Sequence, residues 1–120
     1  MKLQEAIMVF GGLAALKSKS MSPRAAFAVA RMSKALIPEI TLYEESRNEL
    51  ITKYQGVPDT DGNRYVFTKE NGLSFQKEID DLLSEEITAV IKPIQLSMLG
   101  NIEVTPDEAA SLFPILEDNE

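Results

Sequence analysis

Between Ala25 and Tyr54, apolar side chains recur at alternating steps of three and four: Ala25, Val29, Met32, Leu36, Ile40, Tyr43, Leu50 and Tyr54, with Arg47 as the interruption. That spacing is the period of one face of an α-helix. Ser22-Pro23 supplies the start. The serine hydroxyl accepts an orphan amide hydrogen bond, and a proline at the first helical position gives up an N–H that would be unpaired anyway. The pattern predicts a long helix over 22–55, kinked at Pro38, where one main-chain hydrogen bond is lost and the ring meets the carbonyl of Lys34. A helix of about 32 residues is about 48 Å long at 1.5 Å per residue. A compact chain of this size has a radius of gyration of about 13 to 14 Å. Part of the helix should therefore project and need a cover. Leu36, Ile40, Tyr43, Arg47, Leu50 and Tyr54 are the candidate self-association residues, with Arg47 set against Glu44 or Glu45 of a second copy to fix register.

Shorter patterns surround this helix. Residues 1–17 read as a first helix, with Leu3, Ile7, Phe10, Leu13 and Ala14 facing inward and Gly11-Gly12 as either a break or a point of close packing. Its uncharged stretch, Ala6 to Leu16, is too short to span a bilayer, and Glu5 stands where a signal peptide wants positive charge. Residues 57–70 read as a hairpin: Gly56 stops the long helix, Asp61-Gly62 turns, and Tyr65-Val66-Phe67 has strand character. A second turn at Asn71-Gly72 leads to Ser74 as N-cap of a helix over 74–85, with Phe75, Ile79, Leu82 and Leu83 inward. Ile87, Ala89 and Ile91 alternate with Thr88 and Val90, predicting a strand within 86–96 that Pro93 confines to an edge. Thr105-Pro106-Asp107-Glu108 has the form of a capping box opening a helix over 105–113, docked by Ala109, Leu112, Phe113 and Leu116, with 117–120 as a loose acidic tail. The sum is a single domain of α+β class, predominantly helical.

Composition narrows the chemistry. The 120 residues contain no cysteine and no histidine, which removes disulfides, thiolate sites, the common zinc ligands and the usual nucleophile and base pairs. The net charge of −7 is uneven: residues 1–42 hold six Lys or Arg against two acidic groups, residues 43–120 six against seventeen. Such polarity serves an intramolecular clasp, self-association or a charged partner.

The remaining motifs are weak. In Asp59-Thr60-Asp61-Gly62-Asn63, aligning Gly62 with the invariant glycine of a calcium loop puts Val57 and Thr68 where carboxylates are required, so the segment reads as a polar turn. Ser74-Phe75-Gln76-Lys77 fits S-x-x-K but lacks the companion motif of the serine hydrolases that use it. Glu78, Asp81 and Glu85 share one helix face and are the candidate partner-binding residues. No second segment completes a metal site with them. Lys17, Lys19, Arg24, Arg31 and Lys34 could follow phosphates, though without interleaved aromatics. The expectation is no catalytic, metal or cofactor residue.

In its order of pieces the chain resembles small accessory proteins of tailed bacteriophages and prophages: "LQEAI", "ALIPEITLYEESRNELITKY", "DTDGNRY", "FQKEIDDLLSEE", an apolar strand and "TPDEAASL". The resemblance implies a phage-encoded factor in the bacterial host cytoplasm, and it transfers no functional residue. The resulting expectation is a non-enzymatic interaction protein that self-associates and serves as an assembly factor, or as an inhibitor or adaptor of a host protein. Its partner would be a phage or bacterial host protein, with no membrane. The alternatives are a nucleic-acid-associated regulator using the basic N-terminal half and a carboxylate-metal phosphoesterase.

Overall fold

The structure is a computed structural model describing residues 1–62, 64–100 and 102–117. It is mixed α+β and mostly helical. In chain order it contains α1 (Leu3–Lys17), α2 (Pro23–Lys53), β1 (Val57–Pro58), β2 (Tyr65–Val66) and α3 (Lys69–Leu83). There follow β3 (Ile94–Gln95), α4 (Leu96–Leu99), α5 (Pro106–Leu112), a 3₁₀ turn (Phe113–Ile115) and β4 (Leu116–Glu117). The molecule measures 51 × 30 × 21 Å with a radius of gyration of 17.1 Å, so α2 does draw it out beyond a compact globule.

α2 begins as the sequence dictates: the Ser22 hydroxyl accepts from Ala25 N at 3.2 Å, and Pro23 occupies the first turn. The helix runs on through Pro38 as one 31-residue element. Its first half buries Ala25, Val29, Met32 and Leu36, as the three-four stripe requires. Its end differs from expectation. Gln55, not Gly56, takes the left-handed conformation (φ 56°), with Gly56 N donating to Ile51 O at 2.8 Å and Gln55 N to Thr52 O at 3.2 Å. This is a Schellman closure with a side chain where glycine is preferred. Gly56 is needed for a different reason: a Cβ there would sit 2.8 Å from the Phe67 ring.

α1 keeps Leu3 and Leu13 inward as the spacing suggested but buries a broader face around them. Leu3, Ala6, Val9, Gly12, Leu13 and Leu16 are buried, whereas Ile7 and Phe10 are half-buried and Ala14 is exposed. The cause is that α1 is covered on two sides, by α2 and by α5. Gly12 is the contact point with α5: a Cβ added to it would lie 2.9 Å from Leu112 Cγ and Cδ2. The doublet is thus a close approach within an unbroken helix. α5 opens with the expected box, Glu108 N donating to Thr105 Oγ1 at 3.2 Å and Thr105 N to Glu108 Oε1 at 2.9 Å. Leu112 and Ile115 close the core, while Phe113, placed inward by the sequence pattern, is 78% exposed.

Three further boundaries move. α3 starts at Lys69, five residues before the expected Ser74, because the Thr68 hydroxyl accepts from Asn71 N and caps it; Asn71-Gly72 lies inside the helix. The strand expected within 86–96 reduces to Ile94–Gln95, paired in parallel with Leu116–Glu117, plus an isolated bridge between Lys2 and Glu86. Ile87, Ala89 and Ile91 do face inward in alternation with exposed Thr88 and Val90, but the alternation has no ladder to support a strand. In the hairpin, β1 and β2 pair antiparallel with Val57 opposite Val66, and Gly62 takes a positive φ of 72°; Asn63 lies outside the described residues. Of the acidic tail, Glu117 belongs to β4, and 118–120 lie outside the described residues.

Gly11→Ala, with nothing within 4 Å of the new methyl, should raise stability by about 1 kcal/mol through helix propensity. Gly12→Ala should lower it despite the same propensity gain, because Leu112 must move; thermal melts of the pair give opposite signs. Gln55→Gly should stabilise by about 1 kcal/mol by removing the left-handed cost, read by denaturant titration.

Candidate functional site

Two surfaces and one groove carry the chemistry available to this chain. The first surface is the waist of α2. Between Leu36 and Ile51 no residue of the helix is buried. Along this stretch, about 21 Å at 1.5 Å per residue, Ile40, Tyr43, Arg47 and Leu50 are half-buried on one stripe, and Tyr54 beyond them likewise. Leu36, expected among the self-association residues, is 0% exposed and belongs wholly to the core cluster that also holds Val29, Met32 and Leu16; it cannot meet a second copy. Leu42 lies on a neighbouring flank at 61% exposure.

The second surface is the acidic face of α3. Lys53 Nζ reaches Glu78 Oε1 at 3.3 Å across from the end of α2. The Tyr54 hydroxyl beside Glu78 holds its carboxyl below the ordinary range, outweighing the opposing effect of burial with further help from Lys53. The same contact raises both Lys53 and Tyr54, through the hydrogen bond to Glu78 first in each case. Glu78 is thus engaged within the chain, while Asp81 and Glu85 are exposed. Among the described residues no three carboxylates stand close enough to hold a metal ion. Ser74 and Lys77 are both exposed on α3, and the Asp59 carboxylate is taken up by Asp61 N at 3.0 Å within its own turn.

The groove was not anticipated. It has a volume of about 540 Å³ and lies between the N-terminal half of α2 and the segment 90–98. Arg24, Phe27 and Arg31 follow one another along one flank of α2, the Arg31 guanidinium 4.6 Å from the centre of the Phe27 ring. Opposite stand Val90, Lys92 and Gln95, over a floor that includes Ala28, Met32, Ala35 and Met98. Phe27 is 62% and Val90 92% exposed. The far wall is tied to α2 by one carboxylate oxygen: Glu39 Oε1 accepts from Thr88 N at 3.2 Å, Thr88 Oγ1 at 3.0 Å and Ala89 N at 3.2 Å.

The five basic residues of the N-terminal half therefore divide. Arg24 and Arg31 line the groove; Lys17 and Lys19 border a separate depression with Met21, Ala26 and Ala30; and Lys34 lines neither. Lys19 also pairs with Glu108 at 3.4 Å. Phe27 was the legible signal for the groove, an aromatic residue off the apolar stripe of its helix. Lys92 and Val90 gave no signal, because only tertiary packing brings them to α2.

Comparison with protein-family models, curated proteins and solved structures finds no match to this chain. Among the described residues no helix is long and apolar enough to cross a membrane.

The ionisation of Glu78 sets a pH dependence. A carboxyl lowered in the folded state contributes stability above its unfolded range and loses it as pH falls through the folded value; the raised Lys53 and Tyr54 contribute below their unfolded values and lose it as pH rises through the folded ones. Glu78→Gln should therefore flatten the fall in Tm on the acid side, where the carboxyl titrates, and on the alkaline side, where Lys53 and Tyr54 do. Melts across the pH range check both limbs.

Proposed function

We propose that this protein is a non-catalytic interaction factor that self-associates through the waist of α2 and uses its remaining charged surfaces to engage another protein. The observation that carries the reading is the run from Ile37 to Leu50, a helix surface with no buried residue between two packed ends. Half-covered Ile40, Tyr43 and Leu50 have more apolar area to give up, at roughly 25 cal/mol for each Å² removed from water. Arg47 lies one turn from Glu44 and two residues from Glu45. In an antiparallel pairing of two waists, each Arg47 would meet carboxylates of the other copy, which fixes register as well as attraction.

A chain without histidine or cysteine has few groups for nucleophilic or acid–base work, which supports a binding role. Exposed Asp81 and Glu85 then offer a charged face for a basic partner. The resemblance in element order to tailed-phage accessory proteins supports a role in virion assembly, or in engaging a bacterial host protein in the cytoplasm.

Light scattering after size exclusion tests the reading. The full chain should elute at a defined multiple of its 13.3 kDa mass. Arg47→Glu should shift it toward the single-chain mass, and Glu44→Lys with Glu45→Lys in the same chain should restore the assembly. Ile40→Asp should dissociate it as well, with helical circular dichroism verifying the fold. A wild-type chain at 13.3 kDa over the concentration range, or an Arg47→Glu mass equal to wild type, would overturn self-association at this surface.

A further inference from the structure

The groove between α2 and the 90–98 segment is distinct from the waist, and its chemistry is specific enough to name an occupant. Its walls carry three cations, Arg24, Arg31 and Lys92, and among the described residues none of them forms an ion pair within 4 Å. The floor between them is apolar and adaptable: two alanines leave room, and Met32 and Met98 are flexible enough to fit side chains of different shape. Phe27 and Val90 stand exposed at the rims, a large apolar area on one small concave feature.

The main chain of the far wall supplies a third property. Among the described residues, the N–H groups of Val90, Ile91 and Lys92 donate to no other main-chain group, although Thr88 and Ala89 just before them are held by Glu39 and Ile94 just after them is paired in β3. Open donors on a segment anchored at both ends are what an added peptide uses for main-chain hydrogen bonds, with alternate side chains entering the groove.

We propose that this groove docks an acidic peptide segment of a partner protein, one whose Asp or Glu residues meet Arg24, Arg31 and Lys92 while an interspersed Leu, Met or Phe enters the floor. Charge complementarity selects the peptide: three cations that form no ion pair among the described residues ring an apolar floor. A nucleic acid fits less well. One face of the Phe27 ring is occupied by the Arg31 guanidinium, so that face is closed to a stacked base.

The test is selection from a displayed library of random dodecamer peptides on the immobilised full-length chain, with Arg31→Glu/Lys92→Glu in parallel. Arg31 and Lys92 are both exposed, so the variant should keep the wild-type melt. It should also keep the wild-type mass in light scattering, which separates a failure of the groove from a failure of self-association. Peptides enriched on wild type should carry Asp or Glu around an apolar anchor. Synthesised with a fluorophore, they should bind about tenfold or more weaker to the charge-reversed variant, and Phe27→Ala should weaken them as well. Enrichment of the same peptides on both proteins, a basic consensus or no enrichment would overturn the proposal. So would saturable binding of labelled oligothymidine that is lost in the variant while no peptide is selected, which would assign the groove to single-stranded nucleic acid.

Discussion

α1, α3 and α4 pack directly on α2 while α5 packs on α1, so what the fold requires is that α2 survive its own proline. Pro38 removes a hydrogen bond to the carbonyl one turn earlier, a defect worth about 3 kcal/mol in an unsupported helix interior. It is bracketed by two strong attachments. Leu36, two residues before, is wholly buried, and Glu39, immediately after, holds Thr88 and Ala89 with a single oxygen. Those contacts hold the helix on both sides of the defect, so the stripe keeps phase from Ala25 to Tyr54. α1 and α5 then complete the core from one side, with Gly12 allowing Leu112 to approach as closely as a missing Cβ permits.

The residues show where local sequence was enough. Ser22-Pro23 and Thr105-Pro106-Asp107-Glu108 form the caps their composition implies, because a cap is decided within one turn. Ser74 has the same chemistry as Thr68, and the choice between them fell to Thr68 because Phe67 and Phe75 stack at 4.5 Å, which favours a helix long enough to bring them together. The inward face of α1 was legible only at Leu3 and Leu13, since periodicity reports one buried stripe and this helix has covers on two sides. Phe113 departs from its expected inward place for a similar reason: the 3₁₀ turn after α5 leaves Phe113 out and brings Ile115 in. The groove was half visible. Arg24 and Arg31 stood out as basic residues, but Lys92 and the open main chain beside it reach them only through a loop of tertiary contacts.

Charge in the chain is divided in sequence and again in space. The basic first third does not form a single face; it separates into a groove with unpaired cations and a depression whose Lys19 is paired with Glu108. The acidic remainder is partly neutralised at Lys53 and left open at Asp81 and Glu85. A protein with unpaired charge of both signs at different places can hold two unlike partners at once, and the net −7 keeps copies from collapsing together indiscriminately.

The unburied stretch of α2 also bears on how the molecule opens. At the Leu36 end, side chains from α1, α5 and the 3₁₀ turn interlock in one cluster, whereas the hairpin end rests on Ile51, Ile79 and the Phe67–Phe75 stack. Apart from the bonds that tie Met1 and Leu3 to Glu85, Glu86 and Ile87, little side-chain packing joins these ends, an arrangement that favours separate local opening of the hairpin end. Amides of β1, β2 and the start of α3 should therefore exchange with solvent through excursions that leave α1 untouched.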